Sequence, residues 1–196
     1  MINPKICAIL LAFLLLQAIG CAGYKARREQ LRPEYRGDMF IQPRKQFQLI
    51  LPGADWLRDE FRKFDLAFSQ HNGSGQILVR SLTNGTLTAP PLSKSWKYLR
   101  LNIVEIEESV PFAVPNGQAV RQRIRGLFRA GKRPSFTVER HVQIIRIQLD
   151  NCAVDVCGVA LESDFPATVL AVETLAASVQ SYAPQRADSG GGVTGR

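Results

Sequence analysis

The chain is poor in the residue types that most often perform chemistry in proteins. Its 196 residues include only two histidines and four cysteines. His71 falls in a predicted turn and His141 in a predicted strand, and the two have no predicted neighbour in common. A catalytic nucleophile needs a base within hydrogen-bond reach, and that base needs a third group to orient it. We therefore expect a protein that is not an enzyme.

Signals for metals and cofactors are also missing. Zinc sites use three or four Cys, His or carboxylate ligands at tight spacings. Here Cys152, Asp155 and Cys157 stand close together, and no further ligand completes the set. The chain has neither a glycine-rich phosphate loop nor a dinucleotide-binding fingerprint. We expect no metal and no organic cofactor.

The N-terminus has the layout of an export signal. Lys5 precedes Ile6–Leu16, an apolar run of eleven residues, whereas a membrane span needs about 20. The run leads to Ala18-Ile19-Gly20-Cys21, which resembles the lipobox of bacterial lipoproteins. The resemblance implies that residues 1–20 are removed and that Cys21 carries acyl chains, although leucine is usual where Ala18 stands. The alternative is an ordinary export signal with a chance cysteine near the cut.

The lipobox resemblance also implies a location. Two or three acyl chains anchor a protein stably, because each buried CH₂ contributes about 0.8 kcal/mol. Ala22 follows the cysteine, and no Asp is present there to retain the protein at the inner membrane. We expect the periplasmic face of the outer membrane. The net charge of +8 favours anionic partners, of which nucleic acid is the least expected after export.

The mature chain divides into three predicted parts. Residues 21–45 are the lipidated cysteine and a basic, flexible tether, which could lie on anionic headgroups or simply be solvated. Residues 46–182 form one α+β domain, and the Gly-rich residues 183–196 form a disordered tail.

The predicted domain is an antiparallel sheet with two helices packed on it. Pro90-Pro91 opens the first helix, with an apolar stripe that ends at Ile103. The second begins at Ser163-Asp164 with Pro166 in its first turn. The predicted strands show alternation or short apolar runs between turn residues; they are 47–51, 65–69, 76–82, 119–128, 135–149 and 154–161.

Several short motifs recur in this order in one group of proteins. They are Trp56, Phe64–Phe68, Gly75–Val79, Pro91-Leu92 and Cys152–Asp155. Together they resemble uncharacterised lipoproteins of the delta-proteobacterial type, whose domain is a PsbP-like α/β/α sandwich. The resemblance implies a non-catalytic accessory module and carries over no functional residue.

A basic run is the strongest candidate binding feature. Three of its arginines alternate on one face of a predicted strand, where planar guanidinium groups could hold lipid phosphate, lipopolysaccharide or an acidic envelope protein. The alternative is a solvated strand that charge protects from aggregation. The run consists of Arg121, Arg123, Arg125, Arg129, Lys132 and Arg133.

Two further pairs of residues leave alternatives open. If Asp150-Asn151 is a two-residue turn, Cys152 and Cys157 lie on opposite faces of one strand and cannot pair. If the turn is centred on Val154-Asp155, they could form a disulfide in an oxidising compartment. Trp56 and Trp96 are expected in the core rather than in a ligand platform.

The sequence thus predicts a lipid-anchored accessory protein of the cell envelope. We expect it to act by binding, in envelope maintenance or lipid transport. A periplasmic hydrolase and a structural scaffold lipoprotein are the alternatives.

Overall fold

The computed structural model describes residues 31–61, 63–83, 87, 99, 101–129 and 137–183. Antiparallel strands make up most of this part of the chain, which contains a single α-helix, α1 (Phe165–Ser178), preceded by a 3-10 turn at Glu162–Asp164. The strands are β1 (Glu34–Arg36), β2 (Met39–Gln42), β3 (Phe47–Ile50), β4 (Trp56–Asp59), β5 (Leu66–Gln70), β6 (Gln76–Thr83), β7 (Leu101–Ile106), β8 (Val110–Phe112), β9 (Gln118–Arg129), β10 (Thr137–Gln148), β11 (Cys152–Ala160) and β12 (Gln180–Ser181).

The main sheet runs in the order β4-β5-β6-β11-β10-β9-β7, and β8 also pairs with β9. The two longest strands, β9 and β10, have twelve residues each. Asp150-Asn151 closes the hairpin from β10 to β11, where the amide of Leu149 donates to the carbonyl of Cys152 at 2.9 Å. Every residue of β11 is buried, as expected for a central strand that is covered on both faces.

A second sheet of four strands has the order β1-β2-β3-β12. Two of its strands lie within residues 34–42, so the prediction of a flexible tether up to residue 45 is wrong there. Phe40 is completely buried and Ile41 is 2 % exposed. The side chain of Gln42 donates to Asp65, just before β5, at 3.1 Å. The folded part therefore includes β2, whose Phe40 enters the core, and β1, which pairs with β2.

Helix α1 packs on one face of the main sheet. Thr168, Val172, Leu175 and Ala176 are its buried residues. Gly158 of β11 lies beneath them, so close that an added Cβ would stand 2.6 Å from Val172. The small sheet joins this core through Phe40, Phe47 and Leu49, and the strands contribute Ile77, Val79, Ile145 and Val156.

A second core lies on the opposite face of the main sheet. It contains Val142 and Ile144 of β10 and Cys157 of β11, all three completely buried. Arg146 and Asp155 are paired across β10 and β11 on this same face. Both are buried, with side-chain exposures of 0 % and 1 %. These two charged side chains therefore occupy positions that apolar side chains fill in the rest of this core.

The first of the two predicted helices is wrong at its C-terminal end. Ile103 lies in strand β7, where it pairs with Gly126 of β9. The rest of that prediction, residues 90–98 and 100, lies outside the described residues. The second predicted helix is confirmed as α1, with Pro166 in its first turn. Asp164 makes no side-chain capping bond to the helix and accepts two hydrogen bonds from Ser74 instead.

Candidate functional site

Arg121, Arg123 and Arg125 of β9 share one face, as their alternation predicted. They do not form an acid-free surface, because neighbouring elements bring glutamates to two of them. Arg125 lies 2.9 Å from Glu105 of β7 and 3.5 Å from Glu139 of β10. Arg121 lies 3.4 Å from Glu173 of α1. In the part of the run that the structure describes, two of the arginines are therefore already paired with carboxylates, and the role of the run in binding anions stays a prediction.

Arg123 differs from its two neighbours. Its Nε donates to the side-chain oxygen of Gln143 at 2.9 Å, and no carboxylate of the described chain lies within ion-pair distance of it. Gln143 is completely buried, and its side-chain nitrogen donates to Glu173 at 3.1 Å. Arg123 and Gln143 stand directly opposite each other in the pairing of β9 and β10. The buried amide thus holds the guanidinium and leaves its two terminal nitrogens available.

A pocket of about 320 Å³ opens beside Arg123, and we call it the polar pocket. Glu105 and Glu107 line one side, next to Arg123 and Arg125 of β9. On the other side the ring of His141 lies against that of Phe165, with centroids 5.3 Å apart. With two glutamates and two arginines, its formal charge is zero when His141 is neutral. The remaining lining residue is Ile124.

On the opposite side of α1 runs a larger depression of about 660 Å³, which we call the apolar groove. The helix contributes a row of mostly small or apolar residues from Ala167 to Ser178. The facing wall is the chain from Ile50 to Trp56. Leu170 and Ile50 are 68 % and 48 % exposed, which is high for side chains of this size. An open groove with apolar walls is typical of a site for an apolar ligand.

One polar group in the wall of the apolar groove has an unmet hydrogen-bonding requirement. The side-chain oxygen of Gln70 is buried and has no hydrogen-bond partner among the described residues. It lies near Gly73 and Gly75, where an added Cβ would come within 2.5 Å and 2.7 Å of it. Trp56 packs partly against the core, as predicted, and also lines the groove. Most buried acceptors of this kind are satisfied by a protein group or by an ordered water.

Cys152 and Cys157 are both free and buried. They lie on the same strand, β11, and belong to the cores on its opposite faces. The possible disulfide is therefore wrong, and so is the turn at Val154-Asp155 on which it depended. Burial raises the pKa of both thiols, and that of Cys157 rises well above its ordinary value. A raised pKa leaves little thiolate, which is the form of cysteine that acts as a nucleophile or metal ligand.

The two histidines lie where the sequence placed them, His71 in a turn and His141 in a strand. His141 stands 3.7 Å from Glu139 and contacts Phe165. Within the described ranges, no cluster of three or more His, Cys, Asp or Glu residues could hold a metal ion. Cys21, Trp96, Lys132, Arg133 and the side chain of Arg129 lie outside the described residues. In the described part no helix is long and apolar enough to cross a membrane.

Comparisons with known proteins give matches among solved structures only. No family model and no curated protein matches the chain. A protein of Bacteroides thetaiotaomicron aligns at 12 % identity and a TM-score of 0.48, over 78 % of this chain and 51 % of its own, so the chain spans about half its length. The cyanobacterial PsbP of Synechocystis sp. PCC 6803 has 12 % identity and a TM-score of 0.48, over 74 % and 91 %. LpqN of Mycobacterium tuberculosis, which is involved in cell envelope biogenesis, has 13 % and 0.46, over 78 % and 90 %.

Likenesses of this degree concern the course of the backbone alone. With TM-scores below 0.5 they do not decide the fold family, so the PsbP-like sandwich stays a prediction. The lipobox and the relationship to delta-proteobacterial lipoproteins stay predictions.

Proposed function

We propose that this protein is a lipid-anchored, non-catalytic accessory protein of the cell envelope that binds an acyl chain of an envelope lipid. The observation that carries the proposal is the apolar groove along α1. Its volume of about 660 Å³ falls within the range of ligand sites, about 300–1,000 Å³. Its walls are mainly apolar, which suits a hydrocarbon chain.

The length of the groove fits the same ligand. Its helical wall runs from Ala167 to Ser178, which corresponds to about 16 Å at 1.5 Å per residue. One leaflet of a bilayer has a hydrocarbon depth of about 15 Å. An acyl chain that lies along α1 would therefore leave the hydrocarbon core of the bilayer for an apolar groove of about the same length.

Lipids that co-purify with the protein test the binding part of the proposal. The Cys21→Ser variant, which is expected to carry no acyl chains of its own, is purified from the soluble periplasmic fraction without detergent, and its bound lipids are identified by mass spectrometry. We expect Leu170→Glu in this background to abolish co-purification, since it places a charge in the groove wall. Leu57→Glu is the matched control, because Leu57 is 50 % exposed on β4 and lies outside the groove.

Three results would contradict this part of the proposal. They are the absence of bound lipid, equal lipid in Leu170→Glu, and equal loss in the Leu57→Glu control. Co-purification of a stoichiometric protein in place of lipid would instead favour a structural scaffold.

Fractionation tests the anchor separately. We expect the unmodified chain to sediment with the outer membrane and Cys21→Ser to appear in the soluble periplasmic fraction. Radioactive palmitate should label the parent chain and should not label Cys21→Ser. An unchanged distribution of Cys21→Ser, or a mature N-terminus with a free amine, would show that the lipobox interpretation is wrong.

A further inference from the structure

The polar pocket contains a cationic and an anionic side chain that form no ion pair with any described residue. Arg123 is held through its Nε by Gln143. Glu107 forms no ion pair within the described chain, although its backbone amide donates to the carbonyl of Arg123 at 3.0 Å. The two residues are therefore cross-strand neighbours of opposite charge that do not pair. The bond to Gln143 explains this, since it holds Arg123 toward β10 and away from Glu107.

The adjacent row of the sheet behaves in the ordinary way. Glu105 and Arg125 stand opposite each other on β7 and β9 and form an ion pair at 2.9 Å. Cross-strand pairs of opposite charge normally close like this because the contact is favourable. The neighbouring Glu107–Arg123 row stays open because a completely buried amide competes for the guanidinium. The guanidinium of Arg123 is then a free hydrogen-bond donor, and the carboxylate of Glu107 is a free acceptor. Together they fit a ligand that carries both a negative and a positive charge.

We propose that the polar pocket binds a phosphoethanolamine group, with its phosphate on Arg123 and its primary ammonium on Glu107. The two terminal nitrogens of a guanidinium form parallel hydrogen bonds with two oxygens of a phosphate. The carboxylate of Glu107 accepts hydrogen bonds from the ammonium. Formal neutrality of the pocket matches the headgroup form of the ligand, a phosphodiester whose single negative charge cancels that of the ammonium, whereas the phosphate of the free monoester carries about −1.5 to −2 at pH 7. The ring of Phe165 closes the far side beside His141.

The size of the pocket limits the ligand. A volume of about 320 Å³ stands at the lower end of the range for ligand sites, about 300–1,000 Å³, which suits a small polar group. The same group occurs free in solution and as the headgroup of a phospholipid. The pocket and the apolar groove lie on opposite sides of α1 and share no lining residue. This inference therefore stands independently of acyl-chain binding.

Calorimetric titration of the soluble Cys21→Ser protein tests the site. The probes are O-phosphoethanolamine, inorganic phosphate and ethanolamine. We expect phosphoethanolamine to bind at least about tenfold more tightly than either half, since each charge-assisted hydrogen bond is worth roughly a factor of ten. Arg123→Gln and Glu107→Gln should each weaken it by about tenfold. Arg36→Gln, on the exposed strand β1, is the control and should leave binding unchanged.

Each remaining outcome overturns the proposal. Phosphate that binds as tightly as phosphoethanolamine, with no effect of Glu107→Gln, would show a simple anion site. Unchanged binding in Arg123→Gln would remove the pocket as the site altogether. A thermal melt of each variant verifies that the fold is retained. Vesicles of phosphatidylethanolamine and of phosphatidylcholine then identify the source, because retention on the former alone assigns the ligand to a lipid headgroup.

Discussion

Arg146 and Asp155 form a two-pronged ion pair within the second core. The Nε of Arg146 donates to one carboxylate oxygen at 2.6 Å, and Nη2 donates to the other at 2.8 Å. Burial raises the pKa of the Asp155 carboxyl, while the hydrogen bonds and charge of Arg146 and the charge of Arg80 oppose that shift. Each charged group thus needs the other for its stabilisation, because both side chains are buried.

Removing one member of this pair should be costly. We expect Arg146→Met to lower the free energy of unfolding by about 3–5 kcal/mol, because it leaves a buried carboxylate without its main partner. The double variant Arg146→Met/Asp155→Leu should recover part of that loss. Urea unfolding measures both. A loss below about 1 kcal/mol in the single variant, which is typical of exposed pairs, would contradict the buried geometry.

The two thiols of β11 should be inert in the native protein. Both are buried, and burial raises the pKa of each, so little thiolate is present at neutral pH. We expect a maleimide to label neither Cys152 nor Cys157 in buffer and both in concentrated urea, as counted by intact mass. Non-reducing mass spectrometry should find two free thiols. Rapid native labelling, or a mass lower by two hydrogens, would be inconsistent with the strand.

Asp164 should make stability depend on acid. Hydrogen bonds from the hydroxyl and amide of Ser74 lower the pKa of Asp164 from its ordinary 3.8. The resulting stabilisation is complete above the unfolded-state value and is lost as the pH falls through the lower folded-state value. Urea unfolding from neutral pH downwards should therefore show a shallower decline for Asp164→Asn than for the parent. Asp150→Asn, in the β10–β11 turn, controls for the lost charge, and equal declines in all three would refute this assignment.

The middle of the fold could be predicted from local pattern. Strands β9, β10 and β11 are consecutive, they alternate or run apolar over many residues, and Asp150-Asn151 marks their tight turn. The same pairing sets Arg123 opposite Gln143. The contact of Gln143 with Glu173 depends on where α1 lies across the sheet. No local pattern encodes that placement, so the sequence indicated the arginines and missed the amide and the glutamates that set their roles.

Elements at the edges were harder to predict for a different reason. Strand β2 has four residues in a basic context, and its burial depends on pairing with β3 and on the distant Asp65. Around Ile103, apolar residues satisfy a helical stripe and a strand equally well in a short window. Pairing with Gly126 of β9 decides the matter in favour of a strand. In both cases a nonlocal contact outweighs local composition.

The segment predicted as a tether should therefore contribute to stability. We expect Phe40→Ala to lower the free energy of unfolding by about 3–5 kcal/mol, as for other fully buried phenylalanines. Arg36→Ala, on the exposed strand β1, should change it by less than about 0.5 kcal/mol. Chemical unfolding of the two variants provides the comparison. Equal and small effects of the two substitutions would mean that residues 34–42 are a tether and not part of the folded domain.

The distance between α1 and the main sheet depends on the missing side chain of Gly158. An added Cβ would stand 2.6 Å from Val172 and 2.8 Å from Thr168, both on α1. We expect Gly158→Ala to destabilise the fold by about 1–3 kcal/mol through overpacking. Val172→Ala alone should also destabilise it, by opening a cavity. In the double variant the new methyl group would occupy that cavity, so the loss should be smaller than the sum of the two. Additive losses in a double-mutant cycle would mean that Gly158 and Val172 do not touch, and the seating of α1 on β11 would then be incorrect.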